Sequence, residues 1–369
     1  VRPAGAVSRR KALVLAGAAV LATALPSRPI LAQSRSLLTR GINIPGWLDR
    51  EGGLAPADGV PDTLFHHGFR TFRLPVDCGR VLSENGAGLR DIREGVSVLA
   101  DRGFSVLVDM HPAADLHALF LQDAAAAGER VLRGWERLRA VIADLPADRV
   151  YPELLNEPPM ENTAWLALRD RLAQTVRSTC PDHTLIWGPA PDQGIWQLDA
   201  TPPLSDGNQI AAVHFYAPMA FTHQCQSWGA SPLARISGLP FPATRETPAV
   251  HAHLAALRAS GDEEAAALVE EQLATPWTEA SVRAVFEQAA RWSERSGCPV
   301  MLNEFGVLDF CVDAQSRVAW TRAVRKAAEA NGIGWAYWEL DRGFGLMESR
   351  LDAEGFDTAM LDALFGEGD

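Results

Sequence analysis

The 369-residue sequence is short of several things, and each shortage removes a class of answer. Positive charge is scarce: 34 Lys and Arg stand against 46 Asp and Glu, a formal charge of -12, and no basic stripe is present. Nucleic acid and anionic membrane surfaces are therefore excluded as partners, whereas neutral polymers are compatible. Beyond residue 25 no apolar run is long enough to cross a bilayer. No GxGxxG follows the first apolar strand, which argues against a dinucleotide-binding sheet. Cysteine is limited to Cys78, Cys180, Cys225, Cys298 and Cys311, with no CxxC spacing, so no zinc site is indicated. One or two disulfides are open to these five in an oxidising compartment, with the pairing undetermined. Cys298, at a strand entry, reads as a buried free thiol.

Residues 1–35 differ from everything after them. Ser8-Arg9-Arg10-Lys11 precedes a run from Ala12 to Leu25 made almost wholly of Ala, Leu, Val and Gly. At about 14 residues the run is too short to span a membrane and fits a signal-peptide core. The paired arginines resemble a twin-arginine export signal, with a cleavage point at Leu31-Ala32 before Gln33. The expectation is a signal over 1–32 and a periplasmic or secreted remainder, 36–369, forming one domain with no membrane attachment. A monomer is expected.

Through that remainder, apolar runs of β type alternate with amphipathic stretches. Strands are predicted to end at Ile44, Pro75, His111, Glu157, Pro189, Tyr216, Gly306 and Trp338. Several open alike, at His67-Gly68-Phe69, Arg102-Gly103-Phe104, Ser296-Gly297-Cys298 and Asn331-Gly332-Ile333. A glycine after a last helical turn followed by an apolar run is the mark of a βα repeat. Helices are predicted over Leu89–Arg102, Ala164–Cys180, Val282–Ser296 and Ala314–Ala330 from apolar spacings of three and four. Eight such strands predict an α/β fold, a closed (β/α)8 (TIM) barrel, with a long insertion after strand 6 spanning 217–276. Helix-like stretches at Val250–Ser260 and Asp262–Leu273 make the insertion a folded excursion. It leaves the face on which barrel active sites sit, with Phe221-Thr222-His223-Gln224 and Trp228 near its start.

Two stretches stand out. Leu154-Leu155-Asn156-Glu157-Pro158 and Leu302-Asn303-Glu304-Phe305-Gly306 each put a glutamate at the end of a buried run. Such a carboxylate costs folding energy unless it is paired or used. The polar residues at the other strand ends fall at the same rim: Arg73, His111, Asn156, His214, Tyr216 and Trp338. Glycoside cleavage needs one protonated carboxyl and one ionised carboxylate. Glu157 suits the acid/base and Glu304 the nucleophile. Arg73 would hold Glu304 ionised, Asn156 would donate to a sugar hydroxyl, Tyr216 would hydrogen-bond the nucleophile and His214 would tune the acid. Trp338 offers a flat face to a pyranose ring.

This ordered set resembles family 5 of the glycoside hydrolases, the cellulase family, over residues 40 to about 345. The motifs are Arg73-Leu74-Pro75, Asn156-Glu157-Pro158, His214-Phe215-Tyr216, Glu304-Phe305-Gly306 and Trp338. The resemblance implies a retaining barrel hydrolase with Glu157 as acid/base and Glu304 as nucleophile, the other six residues lining the site of bond cleavage. It implies a β-linked oligo- or polysaccharide as partner, endo-β-1,4-glucan first. β-1,3- or β-1,6-glucan, exo-acting cleavage of β-glucosides and mannan are alternatives. Pro112 stands where many members carry a second histidine, and Asn303 where glycine is common, which bears on subfamily and substrate.

Structural readings compete with each assignment. His111 or His214 alone reads as a satisfied core histidine, Arg73 as a neutraliser, and Trp338 as core beside Trp335 and Tyr337. Their joint placement at one rim favours the site. Glu153 reads as one half of a buried ion pair, His66-His67 as a helix end, and His251 with His253 as a solvated pair. Trp47, Trp187, Trp196 and Trp228 are candidates for outer sugar subsites or for packing. No cofactor and no metal are expected, because His111 and His214 alone do not make a metal set. A non-catalytic glycan-binding barrel linked to polysaccharide biosynthesis is the rival of a different class.

Overall fold

The structure, a computed structural model, describes residues 38–229 and 231–366. The export motif and its cleavage point lie outside the described residues. Eight parallel strands close a barrel: β1 Gly41–Asn43, β2 Thr71–Asp77, β3 Ser105–His111, β4 Val150–Glu153, β5 Leu185–Trp187, β6 Gln209–His214, β7 Val300–Glu304 and β8 Gly334–Tyr337. The last strand returns to the first through Gly41↔Ala336 and Ile42↔Tyr337. Helices surround it, among them Ala87–Asp101, Asn162–Arg177, Glu279–Ser296 and Ala314–Ala330. The α/β barrel expected from the alternation is the observed architecture.

The helix-to-strand glycines explain the repeat. Gly68, Gly103, Gly297 and Gly332 all have positive φ, so each helix stops there without steric cost and the chain turns into β2, β3, β7 or β8. The Ala314–Ala330 helix has the bounds predicted for it. Glu279–Ser296 starts three residues earlier than expected, because Thr278 and Ser281 form a reciprocal cap. Asn162–Arg177 stops short of Cys180, since Pro181 disfavours a helical residue before it.

Two interiors result. Between strands and helices lies a large apolar core, and inside the barrel a smaller plug of Leu107, Tyr151, Ile186, Ile210, Ala212, Met301 and Ala336. Above that plug the inward-facing residues turn polar: Asn43, Arg73, Asp109, Glu153 and Asn303 are fully buried. The polar layer is what positions the site.

The strand bounds correct several expectations. β4 ends at Glu153, four residues before Glu157. Beyond it, single bonds from Leu154 N to Ile186 O (2.9 Å) and from Asn156 N to Met110 O (3.0 Å) carry the chain on, and Glu157 turns away at φ +40. β6 ends at His214, before Tyr216, where a bulge after Val213 pairs His214 with Glu304. β1, β5 and β7 stop at Asn43, Trp187 and Glu304, ahead of Ile44, Pro189 and Gly306, while β2 runs past Pro75 to Asp77. Trp338 lies one residue beyond β8.

Between β6 and the Glu279–Ser296 helix the chain passes through Met219–Thr222, Pro232–Arg235, Pro248–Ala259 and Glu263–Gln272. A disulfide between Cys225 and Cys311 ties the start of this segment to the loop after β7. Cys78, Cys180 and Cys298 are buried and outside this disulfide. No helix among the described residues is long and apolar enough to cross a membrane.

Candidate active site

Arg73 is the hub. Its strand neighbours Phe72 and Leu74 face the helices, so the period of two turns Arg73 into the barrel, where it is wholly buried. A guanidinium there must be fully engaged. Nε donates to Glu153 Oε2 (2.7 Å) and Nη2 to Glu153 Oε1 (3.0 Å). Nη1 donates to Asn43 Oδ1 (3.0 Å) and Glu304 Oε1 (2.5 Å), and Nη2 to Asn156 Oδ1 (2.7 Å). Asp109 Oδ2 lies 3.0 Å from Nη2. One cation thus faces Asp109, Glu153 and Glu304, leaving an excess of negative charge at the barrel mouth. Part of it falls to His111, whose Nδ1 lies 2.8 Å from Asp109 Oδ2. Burial pushes the His111 pKa down, but the charge and hydrogen bond of Asp109 outweigh it and raise it above the ordinary value.

Glu304, 4% exposed, accepts at both oxygens: from Arg73 at Oε1 and from the Tyr216 hydroxyl at Oε2 (2.9 Å). Burial, then the Glu304 charge, pushes the Tyr216 phenol well above its usual range, so the hydroxyl remains a donor. Burial also raises the Glu304 carboxyl, against the pull of His214 and Arg73. Two donors aimed at its oxygens favour the ionised form.

Glu157 differs. It turns off the end of β4 with 42% of its side chain open to solvent. Its environment nevertheless raises its pKa, chiefly by desolvation, with His111 and Arg73 opposing and Asp109 adding to the rise. Its side-chain hydrogen bond is with His214, whose Nδ1 lies 2.8 Å from Glu157 Oε1 and 3.5 Å from Glu304 Oε2. Burial lowers His214 to about 4, so at neutral pH it is uncharged. A neutral His214 places no positive charge beside the Glu157 carboxyl, whose pKa burial raises.

All eight residues singled out in the sequence meet at one rim. Asn156 takes the Arg73 guanidinium on Oδ1, which leaves its Nδ2 facing His111 Nε2 at 3.4 Å. Trp338 is half-buried and lies parallel to the His111 ring, with centroids 6.0 Å apart. Glu153 forms the buried ion pair expected of it. Sequence reasoning missed Asn43, Asp109 and Gln193. The first two are polar residues inside apolar runs, a signal that was there to use; Gln193 lies in a loop with no periodicity. Asn303, 0% exposed, donates to Glu153 Oε1 (2.7 Å), a task glycine could not perform.

Among the tryptophans, Trp187 is fully buried against Trp292 and is core, which removes it from the subsite candidates. Trp47 is half-buried with its ring over Gly95 of the Ala87–Asp101 helix. Trp196 and Trp228 are exposed, at 47% and 48%. His66 and His67 close a helix as expected. His253 is half-buried, unlike the exposed His251, because it lies on the side of its helix that carries the buried Val250 and Leu254.

Glu157, His214 and Glu304 each offer a ligand-type atom, and these lie within 4.8 Å of one another. Both Glu304 oxygens are already committed to Arg73 and Tyr216, so the set is organised for hydrogen bonding and proton placement.

The cellulase model, glycosyl hydrolase family 5, matches residues 32–343. Endoglucanase 3 of Fibrobacter succinogenes is 25% identical over 90% of this chain, which spans 54% of that protein. Endoglucanase H of Acetivibrio thermocellus is 24% identical over 84% of the chain, which spans 29% of it. This chain is therefore about half the length, or less, of these two relatives. In three dimensions it resembles Cel5A of Thermotoga maritima, solved with cellobiose, with a TM-score of 0.73, 24% identity and coverage of 90% of this chain and 99% of that one. It also resembles cellulose synthase subunit Z of Clostridioides difficile, with a TM-score of 0.71, 24% identity and coverage of 89% and 99%. The fold, the rim residues and the match over most of the chain converge: this protein belongs to glycosyl hydrolase family 5, the cellulase family.

Proposed function

We propose that the protein is a retaining β-glycanase that cleaves a β-linked glucan, β-1,4-glucan first, with Glu157 as acid/base and Glu304 as nucleophile. One observation carries this: Glu157 and Glu304 bring an oxygen each within 4.8 Å. Carboxyls about 5–5.5 Å apart serve double displacement, whereas inversion needs about 6.5–9.5 Å to admit a water.

In this mechanism Glu304 Oε attacks the anomeric carbon as the bond to the leaving oxygen breaks, and Glu157 gives that oxygen its proton. The product is a glycosyl ester on Glu304 and a free alcohol. Glu157, now ionised, takes a proton from water, which displaces Glu304 and restores both carboxyls. Arg73 and Tyr216 hold Glu304 as the anion before attack and stabilise it as the leaving group afterwards. His214 passes charge neither way at neutral pH and orients Glu157. Trp338 and His111 present their rings to the sugar beside the reacting carbon.

The endoglucanase relatives support glucan as substrate class. Mannan is the second reading, favoured by the similarity to a Thermotoga Cel5A solved with mannotriose. In this reading the 217–276 segment, tied to the loop after β7 by Cys225–Cys311, helps to select between them. Its disulfide fits export to an oxidising compartment. The test is Glu304→Gln assayed on defined glucan and mannan oligomers: hydrolysis is abolished while oligosaccharide binding persists. Turnover unchanged in that variant rejects the assignment.

A further inference from the structure

Gln193 belongs to none of the roles above, yet its surroundings are built for a task. It is 0% exposed, in the turn between β5 and β6, and holds φ at +50. For a residue other than glycine that region is sparsely populated, so the surroundings must enforce it. They do. The Gln193 carbonyl accepts from His214 N (2.8 Å) and its side-chain Oε1 accepts from Glu157 N (2.7 Å). Nε2 faces Glu153 Oε1 (3.4 Å) and Ala212 O (3.5 Å). The amide orientation is thereby determined: the acceptor meets an N–H, and the donor meets a carboxylate and a carbonyl. Gly188 clears the space, since a Cβ there would lie 2.1 Å from Gln193 Cγ.

The backbone of Glu157 is itself at φ +40, past the last paired residue of β4, so the strand ladder does not determine where its carboxyl stands. Gln193 does. Its side chain holds Glu157 from below and its backbone holds His214, the residue hydrogen-bonded to the Glu157 carboxyl. We propose that Gln193 is a positioning residue that fixes the Glu157 carboxyl, and its His214 partner, for proton donation to the leaving oxygen. The inference rests on the acid/base role proposed above for Glu157. Gln193 touches no substrate in this account and acts through Glu157 and its partner His214.

A residue acting through the acid should matter only where the acid matters. Gln193→Met keeps the length and removes all three side-chain hydrogen bonds, while Gln193→Glu keeps the acceptor for Glu157 N. Both are assayed for kcat/KM on cello-oligosaccharides, whose leaving alkoxide needs a proton, and on 2,4-dinitrophenyl β-cellobioside, whose leaving phenolate does not. Gln193→Met should lose about a hundredfold on the oligosaccharides, the scale of an ångström-sized misplacement, and less than about threefold on the aryl glycoside, where general acid help of that size is not needed. Gln193→Glu should recover most of the oligosaccharide rate. It should also move the basic limb of the pH profile upward, because an added carboxyl beside Glu153 disfavours ionisation of Glu157. Equal losses on both substrates, or none on either, overturn the proposal. If Gln193→Met does not fold, the limb shift in Gln193→Glu decides: an unmoved limb overturns it. A wild-type protein that cleaves neither substrate refutes the hydrolase reading itself, a separate outcome.

Discussion

The Tyr216 hydroxyl donates to Glu304 Oε2 at 2.9 Å, while Arg73 occupies Oε1, so the two oxygens of one buried carboxylate face two different donors. Tyr216 is the neutral donor of the pair and the one that can be removed without leaving a charge stranded. Tyr216→Phe deletes a hydrogen bond to a charged group, worth about 1.5–3 kcal/mol, so kcat should fall roughly 10- to 100-fold. The sign of the pH effect follows from the same bond. Losing a donor to the ionised form raises the Glu304 pKa further above its ordinary value, so the acidic limb moves to higher pH. Steady-state kinetics across pH read both, and an unmoved acidic limb contradicts the assigned contact.

Arg73 offers the corresponding test for stability. It is the buried cation facing Asp109, Glu153 and Glu304, with no exposed surface of its own. Arg73→Met leaves those carboxyls without their cation and should cost about 3–5 kcal/mol, the penalty of breaking a buried pair on one side. Urea unfolding measures it. A loss under about 1 kcal/mol would mean that the cluster is not held by Arg73.

Glu339, beside Trp338, is 6% exposed, and burial raises its carboxyl to about 8, with Arg342 pulling against it. Its folded pKa lies above its unfolded value of 4.5, so the folded state binds a proton that the unfolded state has released. Stability from this group is present below the unfolded pKa and is lost as pH rises toward 8. Glu339→Gln removes that loss. The melting-temperature difference between variant and wild type should therefore grow in favour of the variant from about pH 4.5 to about pH 8 and level off above. A difference constant with pH would contradict it.

Much of this was legible in the sequence because two simple rules governed it. Helix-terminating glycines marked where four of the strands begin, and eight apolar runs alternating with helices make a barrel. Polar residues at the far ends of the same runs then had to share a rim, which is how Arg73, Glu157 and Glu304 could be set together. Other features depend on contacts that no local pattern encodes. The Cys225–Cys311 pairing needs the path of a long segment between β6 and β7. Trp187 shows the same aromatic character as Trp228, yet one packs on Trp292 and the other is exposed. Gln193 earned its place through Glu157, distant in the chain and adjacent in space. The stop of β4 at Glu153 was missed for a physical reason: Leu154 and Leu155 stay buried and apolar after the ladder has ended.

The claim on which the rest stands is that Glu157 and Glu304 share one glycosidic bond in double displacement. Proton NMR of the first-formed reducing sugar, recorded before mutarotation, tests it on a defined β-linked oligosaccharide. The account predicts the β-anomer first, with α appearing only later by mutarotation in water. The α-anomer appearing first would mean single displacement by a water between the two carboxyls and would contradict the account.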